Sequence, residues 1–191
     1  AHHHAPKNFD RAFAIGVLLN SGFVGIEVVF GLMSNSLALL ADAGHNLSDV
    51  LALLLAWGAG VLARKQPTQR HTYGLRRSSV LAALVNALVL LVAVGAIAWE
   101  AALRLGHPEA VQSGTVIGVA SLGILVNGFT AWLFISGKEL DVNIKGAYLH
   151  MASDAAVSLG VVLAAVAMQF TGWLWLDPVM SLSISVVIGV G

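Results

Sequence analysis

Six long apolar stretches, separated by short polar connections, make up most of the 191-residue chain. About 20 apolar residues in a helix, at 1.5 Å per residue, cross the roughly 30 Å hydrocarbon core of a bilayer. The first five stretches reach that length, and the sixth is still apolar at Gly191. The sequence therefore predicts an all-α membrane protein with six transmembrane helices, at 12–33, 37–63, 79–103, 113–136, 144–169 and 178–191.

The composition excludes several classes of protein. Only 10% of the residues are charged and 58% are hydrophobic, with a mean hydropathy of +0.84, whereas soluble domains carry about 25% charged residues. The absence of cysteine excludes disulfides, thiolate metal sites and thiol redox chemistry, so any metal must be held by nitrogen and oxygen. Bilayer lipid is the expected surrounding, and no nucleic-acid partner is expected.

The basic residues predict the orientation of the chain. With six spans, both termini and the connections near residues 64–77 and 137–146 lie on one side of the membrane. The positive-inside rule places this side in the cytoplasm, because the opposite side carries only Arg104. The basic residues of the predicted cytoplasmic side are Lys7, Arg11, Arg64, Lys65, Arg70, Arg76, Arg77, Lys138 and Lys145. Five tryptophans near span ends are typical of an interfacial belt: Trp57, Trp99, Trp132, Trp173 and Trp175.

Residues 1–11 are interpreted as a disordered tail, whose His2, His3 and His4 are a tag remnant or a His-rich segment. The transmembrane domain is assigned to residues 12–191, and the apolar end at Gly191 is expected to belong to a shortened chain. Asp177 and Pro178 are expected to cap the start of the sixth span, since Asp is a good N-cap and Pro suits a first helical turn.

Ionisable side chains within the spans are candidates for function, because a charge at the bilayer centre costs several kcal/mol. Glu100 is expected at the membrane interface. Asp42 is left open: it orients a ligand histidine, lines a water-filled path or pairs with a neighbouring helix. Glu27 is undecided, and the asparagines are expected to form interhelical hydrogen bonds. These residues are Glu27, Asp42, His45, Asp49, Glu100, His150 and Asp154, with the asparagines Asn20, Asn86 and Asn127.

The motif H-x-x-S-D occurs in two of the spans, at His45 to Asp49 and at His150 to Asp154. Residues four apart lie on one face of a helix, so each span presents an imidazole and a carboxylate together. The two spans are antiparallel, and the four side chains fall at similar depths near the middle of the bilayer. Local hydrogen bonding would explain one such histidine, but two matched pairs favour a shared tetrahedral site for a divalent metal, with zinc as the first candidate.

The chain resembles the cation diffusion facilitator family of metal transporters from about residue 12 to its end. The stretches that carry the resemblance are Asn35 to Asp49, with the sequence NSLALLADAGHNLSD, His71-Thr72-Tyr73-Gly74 with Arg76, and His150-Met151-Ala152-Ser153-Asp154. The resemblance implies a compact bundle of spans one, two, four and five around the metal, with spans three and six beside it, and a homodimer. It also implies that His45, Asp49, His150 and Asp154 bind the transported ion, and that this two-His, two-Asp set prefers zinc.

Two features depart from the family pattern. Family members usually carry a cytoplasmic C-terminal domain with further metal sites, and this sequence ends before it. Some members bind metal between spans two and three, but here that connection offers only His71 among several arginines. No metal site is therefore expected there.

The expected function is efflux of Zn²⁺ in exchange for external protons by alternating access, with Cd²⁺ or Co²⁺ as further substrates. Metal ligands must be deprotonated, so protons and metal compete for the site, and the ordinary histidine pKa of about 6.5 suits this exchange. The alternatives are a membrane-embedded zinc enzyme, such as an intramembrane hydrolase, and a structural metal staple. A hydrolase is disfavoured because catalytic zinc usually has three protein ligands and H-E-x-x-H is absent. A bacterial inner membrane is the expected location.

Overall fold

The computed structural model describes the backbone of residues 8–64, 72–135 and 142–190, and these residues form helices joined by short turns. The six helices follow the predicted stretches, and most extend past them by a few residues, because a helix can continue from hydrocarbon into the polar interface. They are α1 (Asn8–Ser34), α2 (Leu37–Arg64), α3 (Thr72–Gly106), α4 (Ser113–Phe134), α5 (Val142–Thr171) and α6 (Leu176–Val190). His2, His3, His4 and His71 lie outside the described residues.

Among the described residues, four helices are long and apolar enough to cross a membrane by length and composition: Ala14–Ser34, Leu84–Gly106, Ser113–Phe134 and Lys145–Thr171. α2, at 28 residues, also has the length of a span. Large apolar side chains on the outside of the bundle, such as Leu18, Val92 and Phe170, are more than 70% exposed. Such a surface suits lipid rather than water, which confirms the predicted class of multi-pass, all-α membrane protein.

Helices α1, α2, α4 and α5 pack together as a bundle, with α4 against α5 and α1 against both α2 and α4. α3 and α6 pack against each other and against α2. Because the connections are short, consecutive helices run in opposite directions. The connections at residues 35–36, 107–112 and 172–175 share one end, called the outer end here, and the opposite end is called the inner end.

The turn between α1 and α2 is fixed by two local features. Asn35 has a left-handed backbone, with φ 56°, and the Ser36 amide donates to the Gly31 carbonyl, a 6→1 bond that ends α1. Asp177, at the start of α6, accepts hydrogen bonds from the Ser36 hydroxyl at 2.5 Å and from the Leu37 amide at 2.8 Å. The prediction that Asp177 caps its own helix is therefore corrected, since it caps α2 instead. Its two oxygens satisfy amides that the first turn of α2 leaves without partners.

Arg104 ties the outer connections together. It pairs with Glu100 at 3.0 Å and Glu109 at 3.4 Å and donates to the Asn35 carbonyl at 3.1 Å. The predicted interfacial position of Glu100 agrees with this cluster. Four of the five tryptophans are exposed near helix ends, as an interfacial belt requires, while the side chain of Trp57 lies outside the described part. The exposed four are Trp99, Trp132, Trp173 and Trp175.

Candidate metal centre

The structure brings the four predicted site residues together between α2 and α5. His45 Nε2 lies 3.1 Å from Asp154 Oδ1, and His150 Nε2 lies 3.1 Å from Asp49 Oδ1. The two imidazole ring centres are 6.2 Å apart. These four side chains, named the quartet below, form a closed ring in which histidines and carboxylates alternate.

Within the quartet, the short contacts join residues of different helices. Each histidine is farther from the aspartate of its own motif, at 3.7 Å for His45 and Asp49 and at 3.8 Å for His150 and Asp154. The i,i+4 spacing put each pair on one face, as predicted, but the pairing itself is exchanged between α2 and α5. This exchange follows from the antiparallel packing, which places each imidazole opposite the carboxylate of the facing helix.

The nitrogen–oxygen separations of the quartet are close to those of a tetrahedral zinc site. Zinc bonds of about 2.0–2.2 Å with tetrahedral angles put neighbouring ligand atoms about 3.4 Å apart. The four separations run from 3.1 to 3.8 Å, although each aspartate meets the two histidines with different oxygens. One oxygen each of Asp49 and Asp154 is buried without a hydrogen-bond partner, so lone pairs are available to a cation. Metal binding by these residues stays a prediction.

The members of the quartet differ in exposure. His150 is the most exposed, at 38%, while Asp154 is 2% exposed. The donor atoms of His45, Asp49 and Asp154 lie within 4.8 Å of one another, in a group that does not include His150. His150 also lines a cavity of about 20 Å³, roughly the size of one water molecule, with Val17, Asn20, Phe134 and Ala147.

On the outer side the quartet is sealed by close packing. A Cβ atom on Gly123 of α4 would lie 2.7 Å from the Phe23 ring of α1 and 2.9 Å from the Ser158 hydroxyl of α5. Three helices therefore meet with no room for a side chain at this position. Phe23 and Ser158 are 2% and 0% exposed, so water has no described path to the quartet from this side.

A second polar cluster is buried in the bundle and was not recognised as a unit from the sequence. The Asn46 amide donates to Glu27 Oε2 at 2.9 Å, and the Ser158 hydroxyl donates to Asp42 Oδ2 at 3.3 Å. Glu27 and Asp42 are fully buried, and Asn46, the partner of Glu27, lies one helical turn from Asp42 on α2. The sequence signal that could have found Asn46 and Ser158 is their position one turn from a carboxylate on the same helix face.

The open questions about the other intramembrane residues are answered by these contacts. Asp42 makes its hydrogen bond to Ser158, not to His45, so it does not orient that ligand through a direct hydrogen bond. Asn20 donates to the Gly16 carbonyl of its own helix at 2.9 Å and reaches the Met151 sulfur at 3.8 Å. Asn127 is fully buried, and neither its amide nitrogen nor its oxygen has a partner among the described residues. The expected interhelical bond is therefore absent for Asn127.

Comparisons with known proteins agree with this architecture. Residues 13–191 match the family model for the cation efflux transmembrane domain. The chain is 42% identical over 189 residues to the zinc transporter ZitB of Escherichia coli, covering 97% of this chain and 60% of that protein. It is 36% identical over 189 residues to a cadmium, cobalt and zinc/H(+)-K(+) antiporter of Bacillus velezensis, covering 98% of this chain and 60% of that protein.

A third relative is the metal cation efflux system protein CzcD of Cupriavidus metallidurans, 38% identical over 182 residues, which cover 95% of this chain and 58% of that protein. The chain thus spans about 60% of the length of the relatives that it matches. The family match and these identities confirm the resemblance that the two H-x-x-S-D motifs indicated, and the chain belongs to the cation diffusion facilitator family.

Proposed function

We propose that this chain forms the membrane pathway of a divalent-metal efflux transporter, which binds zinc at His45, Asp49, His150 and Asp154 and exchanges it for external protons by alternating access. The observation that carries the proposal is the ring of four side chains, with nitrogen–oxygen separations of 3.1–3.8 Å. A two-nitrogen, two-oxygen set suits a borderline cation such as zinc. The names of the relatives, which include cadmium and cobalt, support these metals as further substrates.

The hydrogen bonds of the quartet support proton exchange. Two contacts between an imidazole nitrogen and a carboxylate oxygen, at 3.1 Å each, have the length of a hydrogen bond, for which the nitrogen would carry the hydrogen. Zinc needs the nitrogen lone pairs that these hydrogens occupy, so metal entry displaces protons and protons displace metal. A gradient of protons into the cell then drives zinc out.

The access to the quartet supports loading from the cytoplasm. The cavity beside His150 and the exposure of that ring face the inner end, which the positive-inside rule assigns to the cytoplasm. The outer side is closed at Gly123, Phe23 and Ser158. The cavity of about 20 Å³ beside His150 supports entry of the metal from the cytoplasmic side.

The location follows from the same comparisons, and the assembly is proposed from the family resemblance. The family, the membrane-spanning helices and the bacterial relatives support a multi-pass protein of a bacterial inner membrane. A homodimer is part of the proposal through the family resemblance. The exposed apolar face of α3, which includes Leu88 and Val92, is a surface that a second copy or lipid can cover.

We infer transport rather than catalysis because the quartet offers four protein side chains, enough to complete a tetrahedral shell. Catalytic zinc generally keeps one position open for water. A structural zinc would also have four ligands, but it would be closed to water on all sides, whereas His150 faces a cavity. Flux measurements separate these two cases.

The proposal is tested by zinc uptake into proteoliposomes under an imposed pH gradient, comparing the wild type with His150→Ala. We expect the variant to lose at least 90% of the gradient-driven flux, because zinc loses a ligand at the mouth of the site. The matched control is His107→Ala, which removes an exposed histidine of the outer connection and leaves the flux unchanged. Wild-type zinc binding without any gradient-driven flux would contradict transport, and full flux in His150→Ala would contradict the four-ligand site.

A further inference from the structure

We propose that Glu27 and Asp42 form a proton-binding site of their own, in the outer half of the bundle, and that a proton must occupy it for the outer half to close. The role of this proton in closing the outer half rests on the transport cycle proposed above. The presence of the proton does not depend on transport and is argued from the burial and contacts of the two carboxyl groups.

The pair is separate from the metal centre. Asp42 precedes His45 by three residues on α2, so it lies about 4.5 Å farther toward the outer end. Its partner Ser158 follows Asp154 by four residues on α5, which places it about 6 Å farther out. Among the described residues, neither carboxyl group makes a hydrogen bond or an ion pair to a member of the quartet.

In each carboxyl group of the pair, one oxygen accepts a hydrogen bond and the other, called the orphan oxygen here, has no hydrogen-bond partner. Glu27 Oε2 accepts from Asn46, and Asp42 Oδ2 accepts from Ser158. Glu27 Oε1 and Asp42 Oδ1 are buried without a partner. A protonated carboxyl group can donate a hydrogen bond, whereas an ionised one can only accept. A proton on one of the two orphan oxygens would therefore remove one of the two buried charges.

No basic side chain in the described part neutralises the pair. The charged or titratable groups that face it are His45 on α2 and Asp154 on α5, and these two are already joined at 3.1 Å. α4 contains no ionisable residue between Ser113 and Phe134, and Glu27 is the only charged residue of α1 between residues 14 and 34. Two buried negative charges side by side would be very costly, so the closed state needs the proton.

The location of the pair links its proton to the outer solution. Glu27 and Asp42 are fully buried. Glu27 follows Phe23 by four residues on α1, so it lies about one turn farther toward the outer end than the crossing of Phe23 with Gly123. When the outer half opens, water can solvate both carboxylates and the proton is free to leave. Closing the outer half removes that water, so external protons favour closure and the return of the empty transporter to its inward-open form.

The proton is detected by infrared difference spectroscopy on the zinc-free protein near neutral pH, through the carbonyl stretch of a buried carboxylic acid. We expect the band in the wild type, and its loss or shift in Glu27→Gln and in Asp42→Asn. The control is Glu100→Gln, which alters a carboxylate paired with Arg104 at 3.0 Å and leaves the band in place. No band in the wild type, or the same band in both pair variants, would overturn the proposal.

Ser158→Ala is the alternative variant if Glu27→Gln or Asp42→Asn fails to fold. It removes only the hydrogen bond to Asp42, so we expect it to shift the carbonyl band. Folding is checked by helical circular dichroism. This spectroscopic arm needs no zinc and no transport, so it can succeed even if the proposed function fails.

A second experiment tests whether the proton on Glu27 and Asp42 is needed to close the outer half. It measures how zinc flux into proteoliposomes depends on external pH. Wild-type flux should fall as external pH rises, and in Glu27→Gln this dependence should weaken while the number of protons exchanged per zinc stays the same. A lower number of protons per zinc would place the pair on the coupled proton pathway instead, and would overturn its role in closure. Absence of any zinc flux in the wild type would overturn the proposed function and leave the infrared result standing.

Discussion

At the scale of single residues, the quartet shows how a repeated local motif becomes a shared site. His45 and His150 each contact the aspartate of the opposite helix at 3.1 Å. The serine of the second motif has a different role: the Ser153 hydroxyl donates to the Leu149 carbonyl of its own helix and is exposed. In that motif the histidine and the aspartate face the quartet, and the serine satisfies its hydroxyl locally.

Replacing Asp154 tests the most buried ligand. We expect Asp154→Asn to lower zinc affinity by at least 100-fold, since it removes a negative oxygen ligand and alters the partner of His45. Isothermal titration calorimetry measures the affinity. Ser153→Ala, the neighbouring position of the same motif, should keep it within about threefold, and an equal loss in both variants would mean that the motif acts through folding rather than ligation.

At the scale of helices and turns, two contacts between elements place the site. The carboxylate of Asp177 holds the first turn of α2 against the start of α6. Gly123 lets α4 approach α1 and α5 closely on the outer side of the quartet. The first fixes the position of α2 along its axis, and the second closes the outer half.

Removing the cap of α2 should destabilise the whole fold. Asp177→Ala leaves the Leu37 and Ala38 amides and the Ser36 hydroxyl without their buried acceptor, which costs about 2 kcal/mol. Thermal unfolding in detergent measures the loss. Ser183→Ala on the same helix removes an exposed hydroxyl bonded to its own backbone and should be close to neutral. Equal melting temperatures for wild type and Asp177→Ala would rule out the capping role.

Adding one methyl group at the helix crossing should also destabilise the fold. In Gly123→Ala the new Cβ meets the Phe23 ring at 2.7 Å and the Ser158 hydroxyl at 2.9 Å, and such overpacking costs about 1–3 kcal/mol. Phe23→Leu in the same chain should recover part of the loss by making room. Gly118→Ala, on the same helix where no atom lies within 4 Å, should not destabilise. Equal melting temperatures for Gly123→Ala and Gly118→Ala would show that α4 is not closely packed against α1 and α5 at Gly123.

At the scale of the whole molecule, the bundle is asymmetric about the quartet. Toward the inner end a cavity reaches His150. Toward the outer end the described side chains around the quartet, among them Phe23, Asp42 and Ser158, are at most 2% exposed. An alternating-access transporter needs this asymmetry to invert during its cycle.

The asymmetry is measurable with single cysteines, because the chain has none of its own. In zinc-free vesicles, a cysteine at position 147, which lines the cavity, should react with a membrane-impermeant thiol reagent from the inner side at least tenfold faster than one at position 158. The variants are Ala147→Cys and Ser158→Cys. Equal rates, or faster labelling at 158 from the outer side, would contradict an inward-open state.

The sequence alone was sufficient for the class of fold and the approximate positions of the helices, and it predicted the four side chains that the structure brings together. These properties are local: hydrophobic length sets the spans, and helical periodicity puts His45 with Asp49 and His150 with Asp154 on one face each. The charge asymmetry of the connections likewise needs no tertiary information to predict orientation.

The tertiary structure decided which atoms meet. The exchange of partners between α2 and α5, the cap that Asp177 provides to α2, and the contact of Glu27 with Asn46 join residues between 19 and 140 positions apart. Sequence periodicity places a residue on a face of its own helix, but it does not state which helix covers that face or at what height. Those are set by the close approach of α1, α4 and α5 at Gly123 and by the packing of α6 against α2, which depend on the shapes of many side chains at once.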